Sequence, residues 1–374
     1  MATLRILHTS DLHLGKRFGA LPEDIRHRLR DARHDVLATL AALARQEAAA
    51  HILLAGDTFD TETPSDAVRV QALAAMADAA QMQWWLLPGN HDSLRAEPLW
   101  DALRRDAPAN VHILDAAAPH ALGPSAVLLP APWPHPAPGR DLTAPLDTLP
   151  TPEGALRIGL AHGATASFHD DADRSALIPP HRATLAGLDY LALGDWHGTM
   201  EIGPRTQYSG TPERDSFRHN GPGSCLCVEI ASGAPPSVRQ LATGRFDWQS
   251  PALSLSPELD SLAELSRSLP TESNRRDVLI RLTATGTVSL AERGRLEAEL
   301  ERLRPAFGVL STDLSALTTL ATAGDLDAIA RAGALRVAAD DLRAAAEDTA
   351  APADDRRIAA RALDRMWTLL QDRA

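Results

Sequence analysis

The chain has 374 residues, 44% hydrophobic and 23% charged, a composition ordinary for a soluble globular protein and a length too great for one compact core. A formal net charge of -12 opposes non-specific binding to nucleic acid, so a polyanionic substrate would need bound cations and local basic patches to hold it. With no apolar run near the ~20 residues of a membrane span and no signal-peptide layout at Met1–Leu7, the expectation is a cytoplasmic protein without a membrane partner.

The first half reads as alternating strand and helix. Leu4–Leu7 is a strand, and Ile25, Leu29, Val36, Leu40 and Leu43 then fall on one helical stripe. A second strand covers His51–Ala55. The next helix is expected to start with Thr63 as N-cap, Pro64 at the first position and Asp66 in the first turn. Trp84–Leu87 forms a third strand, with both tryptophans in or at the edge of the core. From Ala117 to Pro152 prolines are dense, which predicts mostly loop or extended edge, either a surface excursion or a rim over a site. Strands return at Leu156–Ala161 and Tyr190–Leu193, then near Ser224–Ile230 and Val238–Ala242. Cys225 and Cys227 lie in the former; taken as pointing to opposite faces, they are expected to form neither disulfide nor chelate.

A boundary is expected between Trp248 and Arg275. Beyond it, alternation over Val278–Thr283, a helix over Leu290–Arg304 and a strand near Phe307–Leu310 make a small β-α-β unit. The last helix carries Ile358, Ala362, Met366 and Leu369 on one stripe, behind a hinge at Ala350–Asp354. Residues 1–248, 249–320 and 321–374 are read as an α/β domain, a small β-α-β unit and a helical region.

Five strand ends carry metal-ligand side chains: Asp11-Leu-His13, Gly56-Asp57-Thr-Phe-Asp60, Gly89-Asn90-His91-Asp92, His162-Gly163 and Gly194-Asp195-Trp-His197. In open α/β sheets the carboxyl ends of strands converge on one crevice, so these segments can build one site. Asp11 and His13 are two apart, as are Asp195 and His197, and in an extended segment each pair aims the same way. Asp57 can bridge two cations through its carboxylate. Mixed nitrogen and oxygen donors without thiolate suit manganese, iron(II), zinc or magnesium. His8 is expected to be a packed histidine and Asp60 a brace for its loop. His169, Asp170, Asp171 and Asp173 read as a solvated acidic loop, and Trp196 as a wall of the pocket mouth. Lys16 and Arg17, with Arg26, Arg30 and Arg33 on one helical face, are candidates to steer a phosphodiester; pairing with Glu23, Asp31 and Asp35 is the competing expectation for the helix.

These motifs resemble those of the calcineurin-like metallophosphoesterases, and within them the SbcD-type DNA repair exonucleases. The likeness rests on His8-Thr-Ser-Asp-Leu-His-Leu-Gly15, Leu54-Ala-Gly-Asp-Thr-Phe-Asp60, Leu87-Pro-Gly-Asn-His-Asp-Ser93, Leu188–Gly194 and Tyr208-Ser-Gly-Thr-Pro212. It implies an α/β fold, a layered β-sandwich flanked by helices, with a small α+β cap and a helical C-terminus. It also implies that Asp11, His13, Asp57 and His197 hold one divalent ion and Asp57, Asn90, His162 and Asp195 a second, manganese foremost. His91 would be the general acid, oriented by Asp92. The family usually has histidine where this chain has Asp195, which implies an altered second metal. The implied function is a metal-dependent DNA exonuclease acting with a Rad50/SbcC-like coiled-coil ATPase, a homodimer being admitted. Phosphomonoester or small-nucleotide hydrolysis, and a weakly active metal-binding scaffold, are the alternatives.

Overall fold

The computed structural model describes residues 3–135, 139–165, 177–219, 222–271, 274–321, 323–329 and 333–371. The chain divides into two compact units at Trp248/Gln249. Among the described residues, no helix is long and apolar enough to cross a membrane. The fold is mixed α/β, with two large mixed sheets and a helical C-terminus.

In the first unit, β1 (Thr3–Thr9), α1 (Glu23–Gln46), β2 (His51–Leu54), α2 (Asp66–Asp78), β3 (Gln83–Leu86), α3 (Glu97–Asp106) and β4 (Val111–Ile113) build half of a layered sandwich. The strands β1–β4 are parallel neighbours in that order, and β11 (Ser224–Ala231) and β12 (Ser237–Ala242) extend the sheet beyond β1. The second sheet runs β5 (His120–Ala121), β6 (Ala126–Ala131), β7 (Leu156–His162), β8 (Tyr190–Gly194), β10 (Thr206–Tyr208), β9 (Met200–Gly203), with the short helix α4 (Arg182–Leu185) before β8.

Strand alternation sorts the apolar side chains into layers. Leu7, Ile52, Leu54, Trp84 and Leu86 face a core shared with α1, α2 and α3. Their neighbours Ile6, Leu53, Trp85 and Leu87 face Leu128, Ile158, Leu160 and Tyr190 across the gap between the sheets. The far face of the second sheet packs Leu129, Leu191 and Leu193 against Leu146 and Ala183. Strands buried on both faces must be apolar at nearly every position, which explains their continuous hydrophobic runs.

The structure departs from the sequence expectations at several points. The N-cap of α2 is Ser65, whose hydroxyl accepts from the Val68 backbone N–H; Thr63 and Pro64 lie before it. Within the proline-rich stretch, β6 is an inner strand with all six residues buried. Pro130 is tolerated there because β5 pairs only Val127 and Leu128, so its missing N–H interrupts no ladder. Cys225 and Cys227 are i and i+2 and therefore share a face. Both thiols are free and sit in the core beneath α1, while Leu226 and Val228 point between the sheets. The acidic stretch from His169 to Asp173 lies outside the described residues.

In the second unit, with β13 (Asp247–Gln249) straddling the boundary, β14 (Ala252–Leu255), β15 (Val278–Ser289) and β16 (Val309–Leu320) are parallel neighbours. The connecting helices α5 (Ser261–Ser268) and α6 (Leu290–Leu303) pack on them through Leu265, Leu296 and Leu300. Helices α7 (Ala323–Ile329), α8 (Ala334–Glu347) and α9 (Ala353–Gln371) close a second small core around Leu290, Leu326, Ala339, Leu363 and Trp367. The buried stripe of α9 is thus Ala359, Leu363 and Trp367, one position off the expected one, and Ile358 and Leu369 are exposed. Two apolar stripes lie side by side on this helix, and the one carrying the tryptophan, with the larger surface to bury, faces inward.

His8 and Tyr190 tie the two sheets together. The His8 ring is fully buried; its Nε2 lies 3.1 Å from the Leu193 carbonyl and its Nδ1 2.9 Å from the Tyr190 hydroxyl. Nε2–H therefore donates to the carbonyl, and Nδ1 accepts from the phenol. Burial pushes the imidazole down to about 3, so it stays neutral in the folded chain. The stability this contributes is complete above pH 6.5 and is lost as the pH falls toward about 3. Tyr190→Phe leaves Nδ1 without a donor and should cost about 1–3 kcal/mol in chemical denaturation. Unchanged cation affinity in the same variant would show that the loss is confined to the sheet interface.

Candidate metal centre

The loops after β1, β2, β3, β7 and β8 meet at one end of the sandwich. Loop one lies on loop two through a short ladder: Asp11 N–H donates to Gly56 O (3.1 Å), His13 N–H to Asp57 O (3.0 Å) and Leu14 N–H to Thr58 O (2.9 Å). Six non-glycine residues among those described have positive φ, and four of them are Asp11 (55°), His13 (44°), Asp57 (54°) and Asp195 (107°). Left-handed backbone costs a non-glycine residue roughly 1–3 kcal/mol and concentrates at functional sites. Asp11 and His13 therefore do not share an extended segment as expected; left-handed turns at both positions bring their side chains together. Gly56 and Gly89 permit the close approach. A Cβ on Gly56 would overlap the His162 ring, and one on Gly89 would overlap the Asp57 carboxylate.

The side chains expected to ligate metal converge in two groups, and a third group of donors, His13, Asp60 and His91, lies beside them. Asp11, His13 and His197 present donor atoms within 4.8 Å of one another, and so do Asp11, Asp57 and His162. Asp57 lies between them: its Oδ2 is 3.7 Å from His13 Nε2 and 3.6 Å from His162 Nε2. Asn90 Oδ1 is 2.7 Å and Asp195 Oδ1 3.8 Å from the same His162 nitrogen. All seven side chains expected to ligate metal are thus brought together.

The donor set fits cations. His162 Nδ1 lies 2.8 Å from the Ala55 carbonyl, which accepts its proton, and Nε2 faces three oxygens, a set that either a proton on that nitrogen or a cation beside it would satisfy. His13 Nε2 and His197 Nε2 face each other at 3.2 Å, and Asp11 Oδ1 is buried without a hydrogen-bond donor. Buried polar groups normally find partners, so the unpaired Asp11 Oδ1 marks a place where a cation would be held.

Charge shifts follow the same geometry. Burial alone would lower His162, but the carboxylates of Asp57, Asp11 and Asp195 outweigh it and raise the ring to about 9. Burial, reinforced by Asp11, raises Asp57. Burial works against ionisation of Asp11 as well, yet the histidines at 197, 162 and 13 hold it below the usual carboxylate range. His13 is pushed down to about 4 by burial, against the pull of Asp60.

Other expected residues fall into distinct places. His91 is exposed at the rim, with its N–H on Asp57 Oδ1 (2.9 Å), its Nδ1 3.0 Å from the Asp60 carbonyl and its ring edge-on to His13. Asp92 does not orient it. The Asp92 carboxylate points into the core and accepts from Gly89 N–H (2.7 Å) and Phe59 N–H (3.0 Å), tying the second and third loops together. Burial and then Asp57 raise it to about 7. Arg33 is buried and turned inward, donating to the Leu12 and Glu213 carbonyls instead of meeting substrate. Arg17 is exposed. Lys16 is half-buried, with its ammonium 2.9 Å from Asp215 and 3.6 Å from Asp60. Trp196 packs edge-on against His219, and Trp133, from the proline-rich stretch, packs edge-on against His162.

Asp215 is the site residue that sequence reasoning missed. Its Oδ1 takes His197 Nδ1 at 3.1 Å. Burial opposes its charge, but His197, Arg33 and Lys16 hold it far below the usual carboxylate range. The signal in the sequence was faint: an acidic residue three positions beyond Tyr208–Pro212, in a segment with no strand pattern.

A family model described as calcineurin-like phosphoesterase matches residues 4–220, more than half of the chain. The chain belongs to this family. Among curated proteins it is similar to the D subunit of the nuclease SbcCD from Bacillus subtilis (strain 168), 36% identical over 93 residues, which cover 24% of this chain and 22% of that one. It is similar also to the D subunit of the nuclease SbcCD from Rhodobacter capsulatus, 31% identical over 115 residues, 30% of this chain and 26% of that one. The aligned segments thus span about a quarter of each relative. The phosphoesterase family and the clustered donors together make this chain a metallophosphoesterase, a hydrolase of phosphoester bonds.

A cation entering beside His162 must displace the proton that the raised ring carries at neutral pH. Apparent affinity should therefore rise by about tenfold per pH unit until about pH 9. Calorimetry in two buffers of different ionisation enthalpy should record proton release on binding, and less of it in His162→Ala. Gly89→Ala, by pressing on Asp57, should weaken both bound cations together.

Proposed function

We propose that this chain is a metal-dependent DNA exonuclease of DNA repair, hydrolysing phosphodiester bonds at a centre of two divalent ions. The observation that carries the reading is Asp57 Oδ2, set 3.7 Å from His13 Nε2 and 3.6 Å from His162 Nε2, where one carboxylate would serve two cation positions. Asp11, His13, Asp57 and His197 would hold one ion, and Asp57, Asn90, His162 and Asp195 the other. When bound, the ions supply Lewis-acid polarisation of the phosphate and activation of water. Manganese fits this nitrogen and oxygen donor set.

His91 is placed to handle the leaving group. Its Nδ1–H donates to the Asp60 carbonyl, which fixes the ring and leaves Nε2 to pass a proton to the departing sugar oxygen. Its backbone N–H donates to Asp57 Oδ1, which ties the proton donor to the residue that would bridge the ions. The similarity to the D subunits of SbcCD nucleases supports DNA as substrate and a cytoplasmic Rad50/SbcC-like coiled-coil ATPase as partner. On this reading residues 249–320 serve as a cap and 321–374 dock the partner.

A second reading, hydrolysis of phosphomonoesters or small nucleotides, is favoured by two observations. Net charge is -12, and Lys16 and Arg33 turn inward to carboxylates and carbonyls and are not free to meet a polyanion. One panel of assays in manganese separates the readings: duplex DNA, single-stranded DNA, bis-p-nitrophenyl phosphate and its monoester. Nucleotide release from DNA that falls by about 10²–10⁴ in His91→Ala, with two ions still bound, is the expected result. Turnover of the monoester alone would move the assignment to the second reading, and two bound ions with no turnover would leave a scaffold.

A further inference from the structure

His13 and His197 are presented in a related way from opposite sides. Their Nε2 atoms face each other at 3.2 Å, and a carboxylate lies behind each ring: Asp215 Oδ1 is hydrogen-bonded to His197 Nδ1 at 3.1 Å, and Asp60 Oδ1 is an ion-pair contact 3.3 Å from His13 Nδ1 without hydrogen-bond alignment. A carboxylate on Nδ1 fixes the tautomer and plane of an imidazole so that Nε2 points outward as a ligand. The two carboxylates belong to loops 155 residues apart in sequence, and both carry negative charge in a confined space. Lys16 stands between them, its ammonium 3.6 Å from Asp60 Oδ1 and 2.9 Å from Asp215 Oδ2. Arg33 approaches the same Asp215 oxygen at 3.8 Å. His162, at the other cation position, lacks this backing: its Nδ1 meets only the neutral Ala55 carbonyl.

We infer that Lys16, Asp60 and Asp215 form a clamp that sets the His13–His197 pair for the first cation, so that Lys16 is a positioning residue and not a contact to substrate. The inference rests on the proposed two-cation reading. A lysine is suited to the place, because its compact ammonium can satisfy two carboxylates that no neutral side chain would hold together. The clamp bears on the first cation position through its contacts with His13 and His197.

The test uses the full chain carrying His162→Ala, which leaves the first position to be titrated alone with Mn2+. Adding Lys16→Met should weaken Mn2+ binding by about 10–100-fold, Asp215→Asn should do the same, and Lys16→Arg should restore most of the loss. In the otherwise native chain, Lys16→Met should lose turnover of bis-p-nitrophenyl phosphate at limiting Mn2+ and regain it at excess Mn2+ with KM unchanged. Unaltered Mn2+ affinity together with a raised KM would overturn the inference and place Lys16 on the substrate. Failure of the native chain to bind Mn2+ at all would instead sink the two-cation reading on which the clamp depends.

Discussion

Two buried carboxylates, Asp11 and Asp57, share one small space with three buried or half-buried imidazoles, and everything around them manages that charge. Carboxylates removed from water are costly unless paired, and here the histidines at 13, 162 and 197 supply that pairing. The strained turns at Asp11, His13 and Asp57 are held by the ladder between loops one and two, and Asp195 is tied to them by its N–H on Asp11 Oδ2.

The sandwich is what makes such strain sustainable. Parallel strands β1–β3 and β7–β8 deliver their loops to one end, and the inter-sheet core of Ile6, Leu53, Trp85, Leu128, Ile158 and Tyr190 locks the two sheets in register. His8 crosses that core to Tyr190 and Leu193, so the strand leading to Asp11 is bonded to the strand leading to Asp195. Asp92, read as a partner for His91, instead joins the loops of Asp57 and Asn90. Its misreading has a simple cause: adjacent residues in a tight turn point apart, and the carboxylate followed the backbone donors inward.

Much of the site was legible because each ligand sits at the end of an apolar run and offers a donor recognisable by type. The helical stripe of α1, the β-α-β order of the second unit and the placing of Trp84 and Trp85 in the core were legible for the same reason, since burial imposes a period on the chain. Less legible were features that depend on local competition: the cap of α2, where Ser65 reaches Val68 N–H, and the buried stripe of α9, where two apolar faces compete. The inner strand β6 was hidden by the prolines that surround it.

By itself the sequence determined the donor chemistry, the order of strand ends and the family to which they belong, because these are properties of residue type and short-range spacing. Only the tertiary structure decided which atom backs each imidazole. Asp60 stands behind His13, Asp215 behind His197 and a bare carbonyl behind His162. Those choices join loops far apart in the chain, and no periodicity records them; they are settled by how sheets, turns and buried charges pack at close range.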